Sequence, residues 1–213
     1  MNKGDVKATL VLLAGLALAA PATAQDAPAL SIRPFVLGTR QSFAAKETFV
    51  AAFETSTGPF VGGGVQVVVL HHFVAEIGAS RFRRTGERAF LSGGKIYRLG
   101  IPLTATITPL EITGGYRFTL TERVRPYGAA GYTRYTYKET SDFAADGENV
   151  DAKRSGFVVN GGVELRLHRW IGLSADAQYA RVRGLLGEGG VSQQADEHDL
   201  GGVAARLKVI VGR

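Results

Sequence analysis

Four groups of residues in this chain are of types that do chemistry, and their spacing decides what each can do. Ser192 and His198, with Asp196, Glu197 and Asp199 around them, have the make-up of a nucleophile, a base and an orienting carboxylate. Acyl transfer needs such groups within hydrogen-bond reach of one another. His71 and His72 are of the commonest metal-ligand type, but adjacent strand residues point to opposite faces, so the pair reads as a turn. Asp142, Asp146, Glu148 and Asp151 do not follow the regular calcium-loop spacing, and they read as a solvated acidic loop. Gly62-Gly63-Gly64 lacks the Lys-Ser/Thr of a phosphate-binding loop and opens onto a strand rather than a helix. These groups imply no metal site and no cofactor.

The elements that would position such residues begin with an export signal. Lys3 and Lys7 precede an apolar stretch from Thr9 to Ala20, and Ala22-Thr23-Ala24 offers small residues for cleavage. That order describes a secretory signal peptide over residues 1–24, and the apolar stretch is well short of the roughly 20 residues of a spanning helix. Residues 25–213 remain as one domain of ordinary size. The chain has no cysteine, which excludes a disulfide scaffold, thiolate metal sites and a lipid anchor on cysteine. Its net charge of +6 suits acidic headgroups. With an export signal in front, nucleic acid is not an expected partner.

The rest of the chain alternates with a period of two. In Ser155–His168, Phe157, Val159, Val163, Leu165 and Leu167 share one parity, while Asn160, Glu164 and Arg166 share the other; successive side chains of a strand face opposite sides. The same pattern predicts strands at about 31–44, 60–70, 73–84, 103–119, 126–139, 155–168, 170–183 and 199–211. Short connections at His71-His72, Leu120–Arg125 and Arg169 alternate with long ones at 45–59, 85–102, 140–154 and 184–198. Short turns at one end and long loops at the other are the plan of an up-and-down barrel in a bacterial outer membrane. Strands in lipid must close on themselves to pair every backbone group. The expected fold is therefore all-β, an eight-stranded antiparallel transmembrane barrel.

Parity then assigns Arg40, Glu76, Glu111, Arg117, Arg134, Glu164, Arg166, Asp176 and Arg206 to the interior. Buried charges must pair. Eight strands leave room only for side chains, so the set reads as a static ion-paired plug rather than a gated conduit. Gly62, Gly64, Gly78, Gly115, Gly162, Gly172 and Gly202 fall mostly on the same face. Aromatic girdles are expected from Phe73, Phe118, Tyr127 and Trp170 near the short turns, and from Phe43, Phe60, Tyr135 and Tyr137 near the long loops. Arg81, Arg83, Arg84, Arg88, Lys95 and Arg98 cluster in and beside the second long loop, where guanidinium groups can pair with lipid A phosphates.

The segments PLEITGGYRF (Pro109–Phe118) and RPYGAAGYTRYTYKE (Arg125–Glu139), with the strand count and loop alternation, resemble the eight-stranded outer-membrane barrels of the outer membrane protein A and X type. The resemblance covers the whole chain after residue 24. It implies a monomer in the outer membrane that meets lipid, lipopolysaccharide and the barrel-assembly machinery. Two departures stand out. The sequence ends Val209-Ile210-Val211-Gly212-Arg213 rather than on an aromatic residue, and no peptidoglycan-binding domain is expected after the last strand. The expected role is non-enzymatic surface interaction. A narrow channel, a lipid A-modifying barrel enzyme using Ser192 and His198, and a soluble periplasmic ligand-binding barrel are the alternatives. The last of these requires an apolar interior and a polar exterior.

Overall fold

The computed structural model describes residues 30–143, 149–187 and 190–212. The expected signal peptide lies outside the described residues, as do Asp146 and Glu148 of the acidic loop. In chain order the elements are β1 (Leu30–Phe43), α1 (Lys46–Phe53), β2 (Thr57–Val69), β3 (Phe73–Ser92), β4 (Lys95–Arg117), β5 (Val124–Thr140), β6 (Val150–His168), β7 (Ile171–Val182), α2 (Gly190–Gln194) and β8 (Leu200–Val211). Each strand pairs antiparallel with its chain neighbours, and β1 closes on β8 to complete the barrel.

The register sets the tilt. A row starting at Arg33 crosses Gln66, Glu76, Thr113, Gly131, Val158, Ala180 and Gly202 and returns to β1 at Phe43. One circuit thus climbs about ten residues, a stagger that tilts the strands by roughly 40° from the barrel axis. Each residue along a strand then adds about 2.5 Å of height.

Side chains alternate across the wall, with the greasy set outside. Ile32, Val36, Val61, Ile77, Ile112, Leu165, Leu207 and Val209 are exposed, whereas Arg33, Gln66, Glu164, Arg206 and Lys208 are buried. A soluble ligand-binding barrel would show the reverse. The inward glycines make room for rings: a Cβ on Gly64 would lie 2.8 Å from Cζ of Phe35.

The loop end is closed by the chain itself. In α1, Phe49, Ala52 and Phe53 are buried, a spacing that lines one helical face. Phe49 stacks on Phe43 with ring centroids 3.8 Å apart. Around them, Phe60, Phe82, Ile107, Tyr135, Val182 and Leu200 form one apolar cluster in the mouth of the barrel. Backbone N–H groups of Glu47 and Thr48 donate to the Glu197 carboxylate at 3.0 and 2.8 Å, and the Thr48 hydroxyl adds a third bond at 2.7 Å. That carboxylate satisfies donors that a helix start otherwise leaves open. The helix lies so close to β3 that a Cβ on Gly86 would come within 2.0 Å of the Ala52 carbonyl oxygen.

All eight strands expected from the sequence are present, and two are much longer than expected. Residues 85–102 were expected as a loop, yet β3 and β4 continue as a hairpin that turns at Gly93-Gly94, both at positive φ (57° and 74°). The hairpin rises beyond the barrel, where both faces of much of it are wet and the apolar alternation disappears. Helices α1 and α2 inside the first and fourth long loops are the other additions.

Candidate functional site

The lower and middle lumen is a continuous ion-paired stack. On β6, Glu164 accepts from Arg33 of β1 at 2.7 and 2.8 Å and from Arg117 of β4 at 3.2 Å. Arg33 also donates to Gln66, and Gln66 passes the chain on to Glu76. Lys208 of β8 donates to both oxygens of Glu76 at 3.0 and 2.8 Å and lies 3.5 Å from Asp176. Its ammonium also sits 5.4 Å from the Phe35 ring centroid and 5.3 Å from that of Tyr127, within cation–π range. Asp176 takes further bonds from Arg206 and the Tyr127 hydroxyl. Arg206 reaches Glu111 at 3.2 Å, and Gln178 donates to the same carboxylate at 2.6 Å. Four carboxylates therefore meet four cations inside the wall, which removes most of the penalty of burying them.

Against the upper part of this stack lies a void of about 20 Å³ bordered by Phe35, Leu37, Glu76, Glu111 and Arg206, room for about one water. Above the void is the apolar cluster. Polar below and aromatic above, the lumen is filled at both levels.

The residues expected inside divide into three groups. Glu76, Glu111, Arg117, Glu164, Asp176 and Arg206 join the stack. Arg166 has inward parity but sits half-buried at the turn end, donating to the Arg169 carbonyl at 3.4 Å. Arg40 and Arg134 are corrections: both point outward, between the buried pairs Leu37/Gln41 and Thr133/Tyr135. The physical reason is that the upper lumen is apolar, so charge at that height belongs on the outer wall. Arg33, Gln66, Tyr127 and Lys208 complete the stack, although the sequence-based set omits them. Lys208 shares its parity with Arg206, which was the available signal. Arg33 stands at the start of β1, where no charged neighbour shares its parity.

The expected outer girdle is corrected in the same way. Phe43, Phe60, Tyr135 and Tyr137 are buried inside the mouth, whereas Tyr132, Phe157 and Tyr179 face outward. At the turn end Phe73, Phe118 and Trp170 are exposed, while Tyr127 points inward.

Among the residues expected to meet lipid A, Arg81 and Arg83 are exposed on the outward parity of β3. Arg84 is also exposed, Arg88 is half-buried, and Lys95 stands at the hairpin turn. Arg98 instead clamps α1: it pairs with Glu54 at 2.8 Å and donates to the Ala51 and Val50 carbonyls. In the acidic loop, Asp151 pairs with Lys138 at 2.8 Å, and hydrogen bonding from that ammonium holds its carboxyl below the ordinary value.

In the fourth loop, the His198 ring meets Asp196 at 2.9 Å, and the Ser192 hydroxyl accepts from the Gly187 N–H at 3.0 Å. His71 and His72 form the β2–β3 turn as expected, with His71 at φ 65°. The His71 carbonyl accepts from Arg117 at 3.1 Å, tying the turn to the foot of the stack.

A closed eight-strand barrel with an apolar exterior and an ion-paired interior is the architecture of a transmembrane β-barrel. The family model described as outer membrane protein beta-barrel domain matches residues 9–201, and the chain belongs to that family. Among curated proteins, none matches the chain in sequence. Among solved structures, the chain is similar to Neisserial surface protein A at 12% identity and TM-score 0.51, covering 88% of this chain and 98% of that one. It is also similar to Ail, the attachment invasion locus protein of Yersinia pestis, at 13% identity and TM-score 0.48, covering 86% and 95%. The N-terminal β-barrel domain of Pseudomonas aeruginosa OprF aligns at 14% identity and TM-score 0.47, covering 86% and 97%.

Proposed function

We propose that this protein is a non-conducting, non-enzymatic outer-membrane barrel that presents an ordered loop layer to lipopolysaccharide or external ligands. In this reading residues 1–24 direct export, the barrel-assembly machinery inserts the chain, and it works as a monomer. The observation that carries the proposal is the lumen, filled by ion pairs below and by the α1 aromatic plug above. A channel needs a path, and a void of about 20 Å³ is not one.

The loop layer supports the surface role. On the projecting hairpin Phe90 and Tyr97 stack at 5.0 Å, and Ile96 and Leu99 are exposed beside them. An open hollow of about 610 Å³ between Lys46, Val50, Leu91, Ile96 and Gln194 lies next to that strip. Exposed apolar clusters rimmed by polar groups suit protein or ligand contact. The Ser192–His198 region lies above the barrel among loops rather than beside the acyl chains, so it does not favour lipid A deacylation.

Planar-bilayer recording of the purified, heat-modifiable barrel tests the proposal. No stepwise conductance is expected. Reproducible unitary steps would instead establish the channel alternative.

A further inference from the structure

We infer that Arg40, Arg81, Arg134 and Arg181 form a lipid-facing girdle that binds the phosphates of lipid A in the outer leaflet. This deepens the proposed lipopolysaccharide contact and rests on the membrane reading above, but it relocates that contact from the loops to the barrel wall.

The register brings the four side chains to one height. Row by row, Gly38 leads through Val61 to Arg81. Val36 leads through Gly63, Ala79 and Leu110 to Arg134. Pro34 leads through Val65, Ile77, Ile112, Tyr132 and Phe157 to Arg181. These rows start two residues lower each time and run two strands further each time. Because a row climbs about 1.25 residues per strand, the two effects cancel, and the four arginines lie within about 4 Å in height. They occupy alternate strands, β1, β3, β5 and β7, so the ring surrounds the whole barrel. Each has outward parity.

The ring marks the edge of the hydrocarbon. From Trp170 up to it, the outward face spans about 25 Å, the height of the apolar band in outer-membrane barrels, and no outward strand position in that band is charged. Tyr132, Phe157 and Tyr179 face outward just below the ring, the position of an interfacial aromatic belt. Charge complementarity names the occupant. Arg40 is positioned by a bond to Thr57 at 2.8 Å, and Arg181 is held in the ring by its pair with Asp199 at 2.7 Å, so Arg40, Arg81 and Arg134 are the members assigned to phosphate. Arg83 stands about 5 Å above Arg81 and adds positive charge. An array of planar guanidinium groups at the polar boundary is matched to a headgroup that carries two phosphates, each able to accept a fork of hydrogen bonds. A free anion from solution would not be drawn to a lipid-facing wall.

The test uses the full barrel in detergent, offered diphosphoryl lipid A, the same lipid with its phosphates removed, or phosphatidylglycerol, with retained lipid counted by native mass spectrometry. The wild type is expected to keep diphosphoryl lipid A roughly tenfold better than the dephosphorylated lipid. Combined Arg40→Gln, Arg81→Gln and Arg134→Gln should abolish that preference while heat-modifiable gel migration is kept. The matching three Arg→Lys changes provide a folded comparison that keeps charge and loses the fork, with an intermediate loss expected. Combined Arg84→Gln and Lys95→Gln on the hairpin should change nothing. Unaltered retention in the triple Gln variant, or phosphatidylglycerol held as well as lipid A, overturns the girdle and leaves the barrel reading intact. A wild-type chain that fails to insert into bilayers overturns both.

Discussion

Replacing Glu164 by Gln tests whether the lumen is held by compensated charge. The carboxylate is 2% exposed and is the shared acceptor of two guanidinium groups, Arg33 at 2.7 and 2.8 Å and Arg117 at 3.2 Å. Gln keeps the size and one acceptor oxygen but strands two buried cations that then face each other. Removing one partner of a buried pair costs about 3–5 kcal/mol, and Glu164→Gln is expected in that range. Arg33→Met is expected to cost less, about 1–2 kcal/mol, because Glu164 keeps Arg117 and an apolar stem fills the volume. The asymmetry is the signature. Urea unfolding of the barrel in lipid vesicles, followed through the fluorescence of the single tryptophan, Trp170, measures both. Equal costs for the two variants, or less than about 1 kcal/mol for Glu164→Gln, would refute the view that this carboxylate neutralises two cations at once.

Two further outcomes follow from the plug and the turn-side girdle. Gly86→Val puts a branched side chain where a Cβ already falls 2.0 Å from the Ala52 carbonyl; limited proteolysis should then cut between residues 46 and 56, with the strands still protected, and an uncut loop would contradict the tight docking of α1. Trp170, exposed at the turn end of the barrel, should be quenched most strongly by lipids brominated close to the headgroup, and strongest quenching from the bilayer centre would contradict the assigned membrane level.

Strand number, strand order and the inside-out polarity were legible because lipid outside and ions inside impose opposite chemistry on alternate residues. The β6 run Phe157–Leu167 shows this directly. Legibility failed where that contrast fades. On β1 the inward Phe35 and Leu37 and the outward Val36 are all apolar, so parity alone does not tell which face Arg40 joins. On β5 the inward Tyr135 and outward Tyr132 cause the same confusion around Arg134. Both errors have one source: the upper lumen holds an aromatic plug from a different part of the chain. The plug helix was itself hidden, since an eight-residue segment with buried Phe49, Ala52 and Phe53 gives too short a period to separate from a loop. Above the membrane, Arg83, Arg84 and Thr85 are all exposed, and the continuation of β3 left no alternation to read.

The carboxylate of Glu197 joins the first loop to the last. It grips the start of α1, just after β1, from a position just before β8, and Gln41 of β1 and the Ala44 amide both bond to Gly201 of β8. These bonds straddle the seam where the chain's first and last strands meet. The plug therefore makes its full set of bonds only when the ring is closed, and it acts as a clasp over the join. Peeling β8 away from β1 must first unfasten that clasp, so the site at which a cylinder of strands would otherwise begin to unzip carries a lock supplied by its own lid.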